Sequence, residues 1–433
     1  MAIASPNTAT STSTSSTGQS YGAALATVTT LFFMWGFLTC LNDILVPHLK
    51  SIFDLNYTRV MLIQFAFFGA YFIFSIPSAK IIDWIGYQRS MVLGLLTMGL
   101  GAFLFVPAAS VPSYPLFLGA LIVLAAGITC LQVAANPYVT VLGKPETASS
   151  RLNLTQAFNS LGTFLAPFFG GLFILTTAPD MQQIRALAPD ALQAFRLHEA
   201  ATVKMPYIGL GIALVLLAIA IGAFKLPKIE HAQHQLGQKV DDSIWKHPNL
   251  IFGAIAIFVY VGAEVSIGSF LVNYFSQPEI GGLTEKVAAS FVAFYWGGAM
   301  VGRFIGSALL QKIRTGTLLG ICAVCAAGLV ATSMLTSGHF AMYSIILVGF
   351  FNSIMFPSIF TLGVAELGPL TGDGSGIMIM AIVGGAIIPV AQGWFADRLG
   401  IHHAFFLPVI CYVYILFFAL IGSKPNSERY GKA

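Results

Sequence analysis

Twelve runs of about twenty apolar residues follow one another along this chain, most of them separated by short polar turns. A run of that length is what an α-helix needs to cross the roughly 30 Å hydrocarbon core of a bilayer. Charge is correspondingly scarce. Only 9% of the residues are Asp, Glu, Lys or Arg, against about 25% in soluble domains. Such a chain cannot clothe a soluble surface, and in lipid only a helix or a closed barrel satisfies its own backbone. The runs cover 22–47, 60–82, 91–109, 114–142, 152–177, 205–225, 249–275, 287–311, 316–336, 339–366, 375–397 and 403–423. The expectation is an all-α membrane protein with twelve transmembrane helices.

The rest of the chain is quickly placed. Residues 1–20 are Ser/Thr-rich and uncharged, which predicts a disordered tail. With no basic segment or small-residue cleavage site ahead of it, the first run reads as a retained span, not a signal peptide. The one long polar stretch near the middle, 226–248, reads as a cytoplasmic linker between an N-terminal half, 21–225, and a C-terminal half, 249–423, with 424–433 as a cytoplasmic tail. With the N-terminus inside, thirteen Lys and Arg fall on the cytoplasmic side and seven outside, as the positive-inside rule requires. The net charge of +4 is that loop excess and not a nucleic-acid patch. The five Cys sit in apolar runs, and Cys322-x-x-Cys325 has no His or carboxylate beside it, so no metal site is expected.

The two halves repeat each other. "NPYVTVLG" (136–143) and "FPSIFTLG" (356–363) share P-x-x-x-x-L-G at an offset of 220. "GTFLAPFFGG" (162–171) and "GGAIIPVAQG" (384–393) align at 222, so that Pro167 meets Pro389. Two parallel six-helix halves are the architecture of major facilitator transporters, with the substrate held at the midplane between them. The loop signature of that superfamily is weak here. Asp83 and Gly86 are in place after span 2, but Ala79 stands where the first Gly belongs. "GDGSG" (372–376) has no preceding strand to make it a phosphate loop, and it reads as the turn between spans 10 and 11.

An ionised group at the bilayer centre costs roughly 2.5–3.5 kcal/mol on insertion scales, so those retained there usually act. Three lie well inside spans: Asp43, Glu264 and Arg303. Asp43 follows Thr39 by one turn and Asn42 by one residue. A carboxylate in a half-wet cavity binds a cation in one state and releases it in another; the alternative is an acid at a helix end, since Pro47 follows. Glu264 is the corresponding feature of span 7. It either contacts substrate or pairs with Arg303. Arg303, flanked by Gly302 and Gly306, is expected to be structural, locking a gate or pairing with an acid. Spans 4 and 5 carry amides at helical spacing, Gln132 and Asn136, then Gln156 and Asn159. Amides donate and accept, which suits sugar hydroxyls, although they also serve as glue between helices. Pro137 removes a backbone donor and frees a carbonyl. Asn273, Trp296 and Asn352 complete the expected sugar contacts, with Trp35, Tyr295 and Phe351 as further aromatic candidates.

"FFMWGFLTCLNDILVPHLK", "LQVAANPYVTVLG", "RLNLTQAFNSLGTFLAP" and "YVGAEVSIGSFL" closely resemble the L-fucose:proton symporter family of the major facilitator superfamily, over about residues 25–422. The resemblance implies that Asp43 is the cation-coupling group, that Gln156 and Asn159 line the sugar site, and that Glu264 contacts sugar. Fucose transporters have a second carboxylate directly before the A-A-N-P run, where this chain has Gln132. That departure points to the glucose/galactose transporter branch, some members of which use sodium. Asp43 with oxygens from Asn42, Thr39 and Gln132 would hold Na⁺, and Asp43 alone would carry H⁺; sodium is expected ahead of the proton.

The expected function is therefore secondary active import of a hexose, most simply glucose or galactose, with a cation, by alternating access. An L-fucose or N-acetylglucosamine permease and an uncoupled facilitator are the alternatives. No loop carries a nucleophile, metal cluster or phosphate site, so no enzyme activity and no cofactor beyond the coupling ion are expected. A monomer in a bacterial inner membrane, with both termini cytoplasmic and no nucleic-acid partner, completes the expectation.

Overall fold

The structure is a computed structural model. It describes residues 21–53, 57–111, 113–173, 188–202, 204–227 and 243–425. Side chains at 39, 41–53, 57–62 and 167–173, several in 189–202, and that of Glu285 lie outside the description. So do the expected tail 1–20, most of the expected linker, and the chain from 426 onward.

The regular structure of the described residues is helical. In chain order the helices are α1 (Tyr21–Phe53), α2 (Tyr57–Ser110), α3 (Tyr114–Val141), α4 (Ala148–Phe173), α5 (Pro189–Thr202), α6 (Lys204–Ala223), α7 (Pro248–Phe275), α8 (Glu285–Leu309), α9 (Thr315–Leu335), α10 (Gly338–Asn352), α11 (Met355–Gly363), α12 (Thr371–Met380), α13 (Gly384–Leu399), α14 (Ile401–Ala404) and α15 (Phe406–Phe417). Among the described residues ten stretches are long and apolar enough to cross a membrane.

The expected twelve crossings are recovered once two details are resolved. Helix α2 would be about 80 Å long if straight, far too long for one crossing. It is broken at Gly86, with φ 80° and ψ 168°, a conformation that only glycine adopts at little cost. The two arms are spans 2 and 3. The other detail is α4, which is helical over 26 residues but too polar to stand out by hydropathy. Arg151, Asn153, Gln156, Asn159 and Ser160 lower it, and most of them face inward. The tenth crossing is α10 and α11 with a break at Ser353–Ile354, and the eleventh is α12 and α13 joined by the turn Ala381–Val383. The Gly372–Gly376 run is not the turn that its glycines suggest. It lies inside α12, where a Cβ on Gly376 would meet Cβ of Ala79 at 2.9 Å and the Ser75 carbonyl at 3.3 Å. Its glycine lets α12 lie directly against α2.

Helices from before and after the 226–248 stretch meet along one face of the bundle. There Thr315 Oγ1 donates to Ser149 Oγ at 2.9 Å, and Ser149 Oγ lies 2.6 Å from Thr361 Oγ1. Thr361 itself donates to the Pro357 carbonyl at 2.8 Å. Each hydroxyl has one proton, so the three form a single directed relay. Beside it Ser150 Oγ donates to the Ser307 carbonyl at 2.7 Å and Asn153 Nδ2 to the Arg303 carbonyl at 2.6 Å. At the edge, Lys80 Nζ sits 2.8 Å from Asp373 Oδ1 and 3.8 Å from Asp83 Oδ2, with its side chain 54% exposed.

Proline makes two more joints. Pro137 has no N–H to offer the carbonyl of Val133, four residues back. That carbonyl accepts instead from Ser375 Oγ of α12, at 2.8 Å and 242 residues away. The repeat places Pro357 in the same relation to Ser353, whose carbonyl accepts from Arg303 Nε of α8 at 3.2 Å. A buried carbonyl that loses its donor costs about 1–3 kcal/mol, whereas a half-exposed ion pair contributes under about 1 kcal/mol. Ser375→Ala is therefore expected to lower the thermal midpoint of the detergent-solubilised protein by more than Asp373→Asn does; the reverse order would refute this ranking.

Candidate functional site

Gln132 and Asn136 lie one turn apart on α3, and Gln156 and Asn159 on the facing α4. The first three are buried, at 1%, 0% and 4% exposure. Gln132 Nε2 donates to the Tyr71 hydroxyl of α2 at 2.8 Å. Asn159 Nδ2 donates to the Phe32 carbonyl of α1 at 2.9 Å, and Thr163 Oγ1 reaches the Gly36 carbonyl at 3.3 Å. Helix α1 comes this close because Gly36 and Gly162 present no side chain where the two helices touch. Four other polar atoms of these amides have no protein partner: Gln132 Oε1, both Oδ1 and Nδ2 of Asn136, and Gln156 Nε2. An amide that serves as glue has at least one end engaged, as Asn249 has, whereas both ends of Asn136 are open. These amides keep donors and acceptors open, side by side, on the interior faces of two packed helices.

Across the bundle, Glu264 of α7 is half-buried. Tyr260, one turn before it, donates from its hydroxyl to Glu264 Oε1 at 2.8 Å. One turn after it is Gly268, where a Cβ would meet the Trp296 ring at 3.0 Å. The indole of α8 therefore lies against α7 next to the carboxylate, and it remains 40% exposed. An aromatic face beside a carboxylate is a usual arrangement for a sugar ring and its hydroxyls. Of the other aromatic candidates, Trp35 is 9% exposed, Tyr295 is fully buried and Phe351 is half-buried.

Two expected sugar contacts lie apart from these groups, and Arg303 has oxygens other than an acid's as partners. Asn273 is exposed and does not share the site. Nine residues beyond Glu264 is two and a half turns, which puts it about 180° round the helix. Asn352 is fully buried and both ends of its amide are occupied. Its Nδ2 donates to the Tyr295 hydroxyl at 2.8 Å, and its Oδ1 accepts from the Tyr412 hydroxyl at 2.8 Å. It ties α10 to α8 and α15. Arg303 is not ion-paired with Glu264. Its guanidinium goes to Ser160 Oγ of α4 and to the Ser353 carbonyl. That agrees with a structural role, with hydroxyl and carbonyl oxygens in place of an acid. Tyr71, Tyr260, Ser353, Ser375 and Tyr412 are the participants that the sequence reading missed.

The expected cation ligands Thr39, Asn42 and Asp43 lie on α1, and their side chains fall outside the described residues. The backbone does bear on them. Helix α1 continues through Pro47 to Phe53, so Asp43 lies within the helix and not at its end. A cleft of about 940 Å³ opens between α1, α4 and α6. It is lined by groups such as Leu25, Phe33, Phe158 and Leu216. It contains none of the amides and suits an acyl chain, not a sugar.

The Major Facilitator Superfamily family model matches residues 23–382. The chain belongs to the major facilitator superfamily. Within it, this multi-pass membrane protein is 55% identical over 409 residues to a glucose/galactose transporter of Brucella abortus, covering 94% of this chain and 96% of that one. It superposes on the Escherichia coli fucose:proton symporter with a TM-score of 0.87 at 33% identity, covering 94% of this chain and all of that one. A second solved structure, described as a superfamily transporter in the outward conformation, gives 0.84 at 33% identity over 93% of this chain and 99% of that one. Its like are transporters and not enzymes.

The open amides have a consequence for stability. Groups kept for a ligand are a liability without it. Asn136→Leu is expected to raise the thermal midpoint of the sugar-free protein. Asn249→Leu should lower it, with about 2 kcal/mol or more of stability lost, because Asn249 Nδ2 lies within 3.2 Å of the carbonyls of Leu362, Gly363 and Ala365 at the end of α11. A destabilised Asn136→Leu would mean that its amide is bonded after all.

Proposed function

We propose that this protein imports a hexose, glucose or galactose, together with a cation by alternating access. The observation that carries the reading is the set of four unpartnered amide atoms on α3 and α4, in a bundle that also holds Glu264 and Trp296 against α7. Sugar hydroxyls both donate and accept, and amide oxygens and nitrogens answer both needs. In the proposed complex Gln132, Asn136, Gln156 and Asn159 take hydroxyls from one side. Glu264 accepts from the other, and Trp296 covers an apolar ring face. Glucose and galactose differ at one hydroxyl, so a site rich in amides accommodates either. The glucose/galactose transporter of Brucella abortus, at 55% identity, supports this choice.

Asp43 is the proposed coupling group. We take the proton as its ion in place of sodium, because the symporters among the relatives are named for the proton and nothing supports a sodium site. Protonation neutralises Asp43 and lowers the cost of moving it through the closed intermediate. With Gln132 in place of a second acid, one carboxylate handles the proton. The face held by the Thr315–Ser149–Thr361 relay carries the loops expected to be cytoplasmic. A bundle closed there offers its site to the outside, in line with the outward conformation of the second solved neighbour. In this reading the protein is a monomer in a bacterial inner membrane, with both termini in the cytoplasm.

Uptake into proteoliposomes tests the proposal. Labelled glucose, galactose, L-fucose and N-acetylglucosamine are offered under a proton gradient or a sodium gradient, imposed separately. Glucose or galactose should accumulate under the inward proton gradient, with Asp43→Asn abolishing accumulation but sparing exchange. Accumulation under sodium alone would transfer the coupling to Na⁺. Equilibration without accumulation under either gradient would make the protein a facilitator.

A further inference from the structure

The crossing formed by α10 and α11 is broken at Ser353–Ile354, and the break leaves two carbonyls pointing at other helices. That of Ser353, freed by Pro357, accepts from Arg303. That of Asn352 lies 3.0 Å from the Tyr260 hydroxyl. The same hydroxyl is 2.8 Å from Glu264 Oε1. Tyr260 is 1% exposed and has a single proton for two acceptors. An ionised carboxylate with no other donor wins that proton, since charge-assisted bonds are roughly twice as strong as neutral ones. When other donors satisfy the carboxylate, the balance tips toward the carbonyl.

The carbonyl is held in place for this. The Asn352 side chain is fixed by Tyr295 of α8 and Tyr412 of α15, both fully buried, so the break cannot drift while its partner changes. Beyond the break the path is short. Arg303, on the Ser353 carbonyl, also donates to Ser160 of α4. Ser160 lies one turn past Gln156 and its hydroxyl donates to the Gln156 carbonyl at 3.2 Å. Asn153 of α4 holds the Arg303 carbonyl. The contact that closes one face of the bundle thus starts from the residue next to the one that Tyr260 touches.

We propose that Tyr260 is a positioning residue whose hydroxyl reports occupancy of Glu264 to the break in the α10–α11 crossing, and through Arg303 to the closed face. This deepens the transport reading and rests on Glu264 contacting sugar. Hydroxyls of the bound sugar donate to Glu264, the Tyr260 hydroxyl turns its hydrogen bond to the Asn352 carbonyl, and the strengthened bond there alters how firmly the break holds Arg303 against Ser160. Tyr260 need not touch the sugar to do this.

The test uses the purified full-length protein in nanodiscs with D-glucose as the probe. The dissociation constant is read by isothermal titration, and backbone exchange over 350–363 by hydrogen–deuterium exchange with and without saturating sugar. In the unaltered protein, sugar is expected to change exchange over 350–363 by about threefold or more. Tyr260→Phe keeps the buried ring and removes the hydroxyl. It should tighten glucose binding, by up to about tenfold, because the free protein loses a bond to a charged carboxylate and the bound protein only a weaker one to a carbonyl. It should also abolish the sugar-dependent change in exchange even at saturation. Glu264→Gln should weaken binding, and in that background Tyr260→Phe should no longer tighten it, since the charged acceptor is gone. Glu264→Asp, which draws the carboxylate back from Tyr260 and keeps its charge, should reproduce the lost exchange response and serves if Tyr260→Phe does not fold. Full binding in Glu264→Gln would overturn the sugar contact and this inference with it. Weakened binding in Glu264→Gln, together with weakened or unchanged binding or a retained exchange response in Tyr260→Phe, would overturn the relay alone.

Discussion

Two carbonyls, those of Val133 and Ser353, cannot be served by their own helices, because Pro137 and Pro357 bring no N–H four residues on. Val133 and Ser353 are both buried, so water does not make up the loss. Each carbonyl must draw its donor from another helix. Val133 takes Ser375 from across the bundle, and Ser353 takes Arg303, which also donates to Ser160 across the bundle. The repeat that relates the two prolines therefore relates two joints. Each joint is a neutral hydrogen bond or a single guanidinium contact, strong enough to select an arrangement and weak enough to exchange for another. Alternating access asks this of a seam: a few bonds of about 1 kcal/mol each, made in one state and replaced in the next.

The same constraint orders the polar interior into two kinds of group. The amide nitrogen of Asn249, both ends of the Asn352 amide and the hydroxyls of Tyr260, Tyr295 and Tyr412 are engaged by protein and hold helices to one another. Gln132, Asn136 and Gln156 keep polar atoms open. Residue type does not separate the two classes, since Asn136 and Asn249 are both fully buried asparagines. What separates them is whether a carbonyl without its own donor lies within reach.

Much of this was legible in the sequence. Spans are local, because twenty apolar residues in a row have few other uses, and a proline announces a freed carbonyl at a fixed distance. Helix arithmetic would have found Tyr260 one turn before Glu264, and would have excluded Asn273 half a turn off the face. The donors could not be read. Arg303 lies 50 residues before Ser353 and Ser375 lies 242 after Val133, and any of the many serines of the chain would have served as well on paper. Glycine misled in one place: Gly372–Gly376 suggests a turn but serves close approach of α12 to α2. Trp296 stood out among many aromatics only once Gly268 was seen to seat its ring.

The central claim is that the open amides of α3 and α4 and the carboxylate of α7 are two sides of one sugar site. A sugar-bound structure at a resolution that orients the ring tests it most directly. The account predicts a hexose with hydroxyl oxygens within hydrogen-bond distance of Gln132 Oε1 and Asn136, another on Glu264, and the Trp296 ring against its apolar face. A hexose bound away from α3 and α4, or one that reaches the amides with Glu264 turned to another protein group, would contradict it.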